Sequence, residues 1–295
     1  MPDQSVSVLG LGLMGTAVAK AFIKAGWNTT VWNRTTAKAA PLEALGVTVA
    51  QTAAECIQAS HLTVAVIVNP EALHSVLKEL DPSITKGRTI LDFTTGSPAL
   101  TNESIEAATQ AGFPEYLHGA ILAMPHQVGL PEGIYLTSGK NETFEKITPA
   151  LKALGTPQHL STNTEASALL ELILVANLYG VASGFVQSVA MLKKTSLFKE
   201  EGIQGFIKTL FIPYVIGSAQ GFFTDTGRQL DEGDFVTKGE GAKCSQQVHA
   251  LENVVRTSKE LGVSGKLMEP ILELFKKRTE QGHGDDEISG LVQLV

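Results

Sequence analysis

The stretch from Val6 to Lys38 constrains the fold of this chain more than any other. Val6-Ser7-Val8-Leu9 reads as a short buried strand that runs straight into Gly10-Leu11-Gly12-Leu13-Met14-Gly15. An apolar helix follows from about Thr16 to Ala25. A second strand, Thr29-Thr30-Val31-Trp32, then ends in Asn33-Arg34-Thr35-Thr36-Ala37-Lys38. Strand, glycine turn, helix and second strand in this order make a dinucleotide-binding unit. The first glycine permits the tight turn, the second lets backbone approach a pyrophosphate, and the third lets helix and strand pack closely. The helix offers its unpaired N–H groups and its positive end to phosphates. Gly10, Gly12, Leu13, Met14 and Gly15 are therefore expected to cradle a dinucleotide.

The end of the second strand says which one. A unit selective for NAD places Asp or Glu there to accept from the ribose 2′-hydroxyl, whereas a 2′-phosphate needs donors. This chain has no acid at that point and offers Asn33, Arg34, Thr35 and, one helical turn on, Lys38. Arginine presents a planar fork of donors suited to phosphate, and lysine adds a point charge. The expected cofactor is NADPH.

The alternation of strand and helix continues beyond this unit. Leu62–Val68 is a continuous apolar run, Arg88–Phe93 another strand ending at Thr94-Thr95-Gly96, and Glu115–His118 and Ile134–Thr137 two more. Helices are expected over Pro70–Leu80, Pro98–Ala111 and Asn141–Leu154. Such alternation predicts a mostly parallel sheet covered by helices on both faces. Ligands of these sheets sit beyond the carboxyl ends of the strands, which adds Asn69, Thr94 and Thr95 to the candidate cofactor residues.

At Ser161–Glu165 the character changes, with Thr162 and Glu165 at the spacing of a capping box. From Ala166 to Leu192 the chain is apolar, and its one charged residue there is Glu171. The length admits a transmembrane helix, but Asn177, Ser183, Gln187 and Ser188 interrupt it and a nucleotide domain precedes it. A soluble helix about 40 Å long, apolar all round, must be buried all round. The hundred residues that follow are too few to wrap it, so a second subunit is expected. Those residues read as helices only: Ile203–Thr224 with a Pro213 interruption, Ala242–Leu261, and one marked by Leu267, Ile271, Leu274 and Phe275. The reading is thus an α/β Rossmann domain over 1–162, a long interdomain helix over 163–195, and an all-α dimerisation and substrate domain over 196–295.

Composition excludes several classes. A net charge of −7 argues against nucleic acid, whose phosphates need a basic face. Two cysteines far apart, Cys56 and Cys244, fit a reducing compartment, and without a secretory signal the expected address is cytoplasmic. His118 and His126 are isolated, so no metal site is expected, and His283 reads as part of a helix junction. A lone acid on an apolar helix is costly unless it is paired, protonated or functional, which singles out Glu171.

This arrangement resembles the 3-hydroxyacid dehydrogenase superfamily and, within it, the imine reductases and reductive aminases. The resemblance spans essentially the whole chain. It rests on Gly10–Gly15, on Val31-Trp32-Asn33-Arg34-Thr35-Thr36-Ala37-Lys38, on His118-Gly119-Ala120-Ile121-Leu122-Ala123-Met124-Pro125, on Tyr179-Gly180 and on Gly282-His283-Gly284. It implies NADPH-dependent reduction of a C=N bond in a homodimer with interleaved helical domains. Glu171 stands where hydroxyacid members carry a catalytic lysine, and Tyr179 is the second implied catalytic residue. Thr95, Leu122, Met124 and Tyr214 are the implied substrate-lining residues. Glu171 is longer than the aspartate common in imine reductases, and Thr95 replaces an asparagine common in reductive aminases. The stretch Gly119-Ala120-Ile121-Leu122 has no hydroxyl to hold a carboxylate, so an apolar or cationic imine, amine or ketone fits better than an acid. Two other readings stay open, a carbonyl reductase or 3-hydroxyacid dehydrogenase and a non-catalytic NADP-binding protein.

The cofactor reading has a direct check. Arg34→Ala should weaken NADPH more than NADH, by roughly 1.5–3 kcal/mol, as expected for a lost charge-assisted hydrogen bond. Calorimetric titration with each cofactor measures this, and equal losses would contradict it.

Overall fold

The computed structural model describes residues 4–239 and 241–295. The chain divides into two compact units, Met1–Ala176 and Asn177–Val295.

The first unit is built on an eight-stranded sheet: β1 Ser5–Leu9, β2 Asn28–Trp32, β3 Thr48–Val49, β4 Leu62–Ala65, β5 Thr89–Asp92, β6 Glu115–Leu122, β7 Ile134–Gly139 and β8 Thr156–Ser161. The spatial order is β3-β2-β1-β4-β5-β6-β7-β8, with only the β6–β7 pair antiparallel. Strand order reverses between β1 and β4, and a crevice opens at such a switch point. Helices α1 Leu13–Lys24, α2 Ala40–Glu43, α3 Ala53–Gln58, α4 Pro70–Lys78, α5 Pro82–Thr85, α6 Pro98–Gln110 and α7 Asn141–Leu154 connect the strands.

Successive strand residues point to opposite faces, so each face carries its own core. Val6, Val8, Val64 and Leu91 pack with Val18 and Phe22 of α1 and Leu151 of α7. Leu9, Ala65 and Ile90 pack with Ile57 of α3, Leu73 and Leu77 of α4 and Ala108 of α6. This is why the central strands read as unbroken apolar runs.

Several boundaries differ from expectation. β4 stops at Ala65, short of the predicted Val68. Its neighbour β1 turns away at Gly10, and the last bond between them is Val66 N–H to the Leu9 carbonyl, 2.8 Å. β6 runs on through Leu122, because β7 pairs with it antiparallel over its whole second half. β3 and β8 lie at the two edges and are new. Both are short and largely polar, and Pro157 is tolerated because an edge strand need not donate on both sides.

The long helix α8 runs over Ala166–Leu192, as predicted, and the division into units falls within it. The predicted Thr162 capping box is replaced. The helix begins four residues later, Asn163 Oδ1 accepts from the Glu165 N–H, and the Glu165 carboxylate accepts instead from Asn102 of α6.

The second unit is helical: the rest of α8, then α9 Gly202–Phe206, a π segment Ile207–Ile216, α10 Gly217–Glu232, α11 Cys244–Glu260 and α12 Glu269–Arg278. The expected interruption at Pro213 is a widening instead, since proline has no N–H to give the α-helical ladder and a π turn absorbs the misfit. Cys244, Phe275 and Leu291 form a small core with Val248, Leu251, Ile271 and Leu274. Beside it Arg278 donates from Nε and Nη2 to Asp286 Oδ2, at 2.9 and 2.6 Å. Asp286 also ties the chain around His283, donating its N–H to the His283 carbonyl and accepting from the Cys244 N–H.

Two stretches, Ala166–Leu192 and Gly202–Glu232, are long and apolar enough to cross a membrane by length and composition. Within the single chain α8 is not buried all round, as expected of a helix that the residues after it are too few to wrap: Leu178 and Val186 are exposed, as are Leu210, Ile212, Phe222 and Phe223 further on. The apolar periodicity specifies a covered helix, and one chain does not supply the cover.

Candidate active site

The glycine turn is shaped by what lies behind it. Gly10 adopts φ +96°, and a Cβ there would overlap the Val66 carbonyl oxygen. A Cβ at Gly15 would overlap the carbonyl of Gly10, whereas one at Gly12 would meet nothing within 4 Å. Gly10 and Gly15 are thus required by packing, and Gly12 leaves open the space in front of the turn. Helix α1 begins at Leu13, a turn earlier than predicted, with no side-chain cap and no acid in its first turn. Its first N–H groups remain available to an anion. Asn33 pins this turn from the side: its Oδ1 accepts from the Leu11 N–H at 2.9 Å and its Nδ2 donates to the Thr35 carbonyl at 3.0 Å. Asn33 is therefore a strut joining the glycine turn to the end of β2.

A cavity of about 730 Å³ runs across the carboxyl ends of β2, β1, β4, β5 and β6. Gly10, Gly12, Leu13, Met14 and Gly15 line it, as do Asn33, Arg34, Thr35 and Lys38. Open space at Gly12, an uncapped helix start and two cations without a nearby acid on the same turn suit a dinucleotide carrying a 2′-phosphate. The other walls went unread in the sequence. Ala72, Ser75 and Val76 of α4 and its C-cap residue Glu79 contribute one stripe, recognisable by its i, i+3, i+4, i+7 spacing. Phe93 and Ile121 come from the ends of β5 and β6.

Some predicted residues lie elsewhere. Asn69 caps α4, its Oδ1 accepting from the Ala72 N–H at 2.9 Å. Thr94 is buried beneath the cavity wall, its N–H given to Asp92 at 2.8 Å. Leu122 ends β6, and Met124 is exposed and starts a short 3-10 turn. None of these four is part of the wall. Tyr179 and Tyr214 belong to the second unit, where both are exposed.

Glu171 also lines the cavity. Thr95 Oγ1 donates to its Oε1 at 2.9 Å, while its Oε2 is buried without a partner. Burial pushes this carboxyl above the usual range, the Thr95 hydrogen bond lowers it, and the negative charge of Asp92 raises it again. One turn earlier on α8, Ser167 accepts or donates to His118 Nδ1 at 2.8 Å, and its N–H donates to Ser138 Oγ at 2.8 Å. These bonds seat the start of α8 on the sheet, one turn before Glu171.

Comparison with known proteins agrees with this geometry. Residues 5–165 match the NAD binding domain of 6-phosphogluconate dehydrogenase, and residues 163–295 match the NADPH-dependent reductive aminase-like C-terminal domain. The chain is 32% identical to an NADPH-dependent reductive aminase of Aspergillus oryzae over 99% of its own length and 97% of the relative's. It belongs to the reductive aminase family. Among solved structures, this family member is similar to the Aspergillus terreus reductive aminase in complex with NADPH and ethyl levulinate, with a TM-score of 0.92 and 32% identity over 98% of each chain. It is also similar to the Myxococcus stipitatus imine reductase in complex with NADP+, with a TM-score of 0.89 and 28% identity over 98% of this chain and 99% of that one.

The buried carboxyl gives this reductive aminase family member a testable pH signature. Because the folded state raises the proton affinity of Glu171, its contribution to stability is complete below the free-glutamate value of 4.5. It is lost as pH rises through the folded value. Chemical denaturation across that window should show the wild type losing stability relative to Glu171→Gln. A constant difference across the window would contradict the assignment.

Proposed function

We propose that this chain catalyses NADPH-dependent reduction of an imine or iminium to an amine. One observation carries the reading: a buried glutamic acid with one oxygen held by Thr95 and the other unpartnered stands in the wall of a cavity that begins at a dinucleotide turn. When bound, the cofactor supplies a hydride to the substrate carbon. The chain's own part is positioning and the proton. Gly12 and the first turn of α1 receive the pyrophosphate, and Arg34 and Lys38 receive the 2′-phosphate. Phe93 and Ile121 add apolar surface to the cavity wall.

Reducing C=N to an amine takes a hydride at carbon and a proton at nitrogen. Glu171, held protonated to higher pH than a free glutamic acid, has a proton to give to a neutral imine. For a substrate that arrives as the iminium, the same group when ionised supplies the countercharge. The family resemblance assigns Tyr179 the substrate-orienting hydroxyl and Tyr214 a substrate-facing aromatic. Leu122 and Met124 are proposed as further substrate contacts, and Asn69 and Thr94 as supports of the cofactor walls. With Thr95 bonded to Glu171, ketone–amine coupling is proposed to be weaker than reduction of a preformed imine.

NADPH oxidation with a cyclic imine, a ketone and a hydroxyacid separates this reading from a carbonyl reductase, a hydroxyacid dehydrogenase and a non-catalytic binder. Glu171→Gln should lower turnover by on the order of 10²–10⁴ with NADPH affinity retained, and by more than Tyr179→Phe does. Loss of activity in Tyr179→Phe with Glu171→Gln near wild type would reverse the roles.

The same reading includes a homodimer with interleaved helical domains. The uncovered apolar faces of α8 and of the helices over 202–232 support it, since exposed patches of this extent need a partner surface. Polar residues Asn177, Ser183, Gln187 and Ser188 and the acid Glu171 along α8 favour a second protein chain over lipid. A cytoplasmic address is part of the proposal, supported by two free, buried cysteines. Light scattering at assay concentration should give twice the chain mass, and a fully active monomer would refute the dimer.

A further inference from the structure

Behind the proposed acid lies a second carboxylate that the mechanism above does not use. Asp92 ends β5 and is almost wholly buried. Its Oδ2 accepts from the Tyr116 hydroxyl at 2.9 Å and its Oδ1 from the Thr94 N–H at 2.8 Å. Both donors are neutral, so the carboxylate is hydrogen-bonded without its charge being cancelled. The bond to Thr94 closes the turn that leads, one residue on, to Thr95 and its hydrogen bond to Glu171. The same turn is held from a third side, because the Thr94 carbonyl faces His118 Nε2 at 3.4 Å.

We propose that Asp92 is a positioning residue for Glu171: it fixes the turn that aims the Thr95 hydroxyl at Oε1, and it sets an uncancelled negative charge behind the acid. The inference rests on the reading of Glu171 as the proton-bearing group. A carboxyl near a negative charge keeps its proton to higher pH, the more so where one of its oxygens has no donor. Asp92 accepts two hydrogen bonds, and Glu171 accepts one while leaving an oxygen bare.

The titratable groups that face this pair reinforce the arrangement. Burial and then the charge of Asp92 raise Tyr116, which therefore stays a hydrogen-bond donor. Burial lowers His118, which therefore stays neutral and does not offset the charge, although Asp92 pulls in the opposite sense. Asp92 itself raises Glu171. The outcome is one carboxyl committed to structure and one left holding a proton at the cavity wall.

The test is an infrared pH titration of the full chain, following the C=O stretch of a protonated buried carboxyl, assigned to Glu171 by its loss in Glu171→Gln. Asp92→Asn should move the midpoint of that band down by on the order of one pH unit, and the upper limb of the kcat/KM profile should move with it. Asp92→Ser keeps an acceptor for the Thr94 N–H without the charge, and serves where the asparagine variant fails to fold. Circular dichroism confirms the fold of each. A midpoint unmoved in a folded variant overturns the role of Asp92 and leaves Glu171 as the acid. Absence of any Glu171 band in the wild type overturns the reading of Glu171 instead.

Discussion

Three backbone segments pass through one point where no side chain fits. The Gly10 turn lies against the Val66 carbonyl, and α1 returns at Gly15 against the carbonyl of Gly10. This contact lets β1 and β4 become neighbours while the chain between them travels out through β2 and β3 and back. The crevice at that reversal is the cavity, and the glycine turn, the start of α1 and the end of β4 that line it all leave this point. A side chain at either glycine would force α1 from the sheet, separating Val18 and Phe22 from their core and removing the uncapped helix start from the crevice.

The second constraint is electrostatic. Desolvating a carboxyl is unfavourable, and the first unit does so at both Asp92 and Glu171. Asp92 is compensated by Tyr116 and Thr94; Glu171 is only half compensated, by Thr95. Such incomplete satisfaction on an otherwise apolar helix marks a group kept for something other than stability. The hydrogen bonds of Ser167 hold the start of the helix that bears it.

The helices of the second unit answer to a different balance. Their core is small, a buried Arg278–Asp286 pair takes the place of apolar packing, and the remaining apolar surface faces outward. A buried ion pair contributes little net stability over apolar packing but fixes one arrangement, since either member alone would be an unpaired charge. On this view the unit is specified by its ion pair and completed by the proposed second copy.

Local pattern determined much of this protein without any coordinates. The glycine spacing between two apolar strands predicts the nucleotide turn, and the absence of an acid after Trp32 points to a phosphate-bearing cofactor. The run from Ala166 to Leu192 matches α8 at both ends, because a long apolar helix is specified residue by residue along itself. Asn33 and Asn69 read in the sequence as cofactor residues; what the sequence does not show is that their amide oxygens accept from the N–H groups of Leu11 and Ala72, 22 and 3 residues away. The edge strands β3 and β8 carry too few apolar residues to show a period, and the second half of β6 is specified by an antiparallel partner that lies beyond a loop. The Asp92–Tyr116 and Thr95–Glu171 bonds join residues 24 and 76 positions apart. Periodicity and capping are local, whereas desolvation and hydrogen-bond partnership belong to the neighbours a folded chain supplies. The sequence therefore determined where an acid stands on its helix, and the tertiary structure alone decided that one of its oxygens is held and the other left bare.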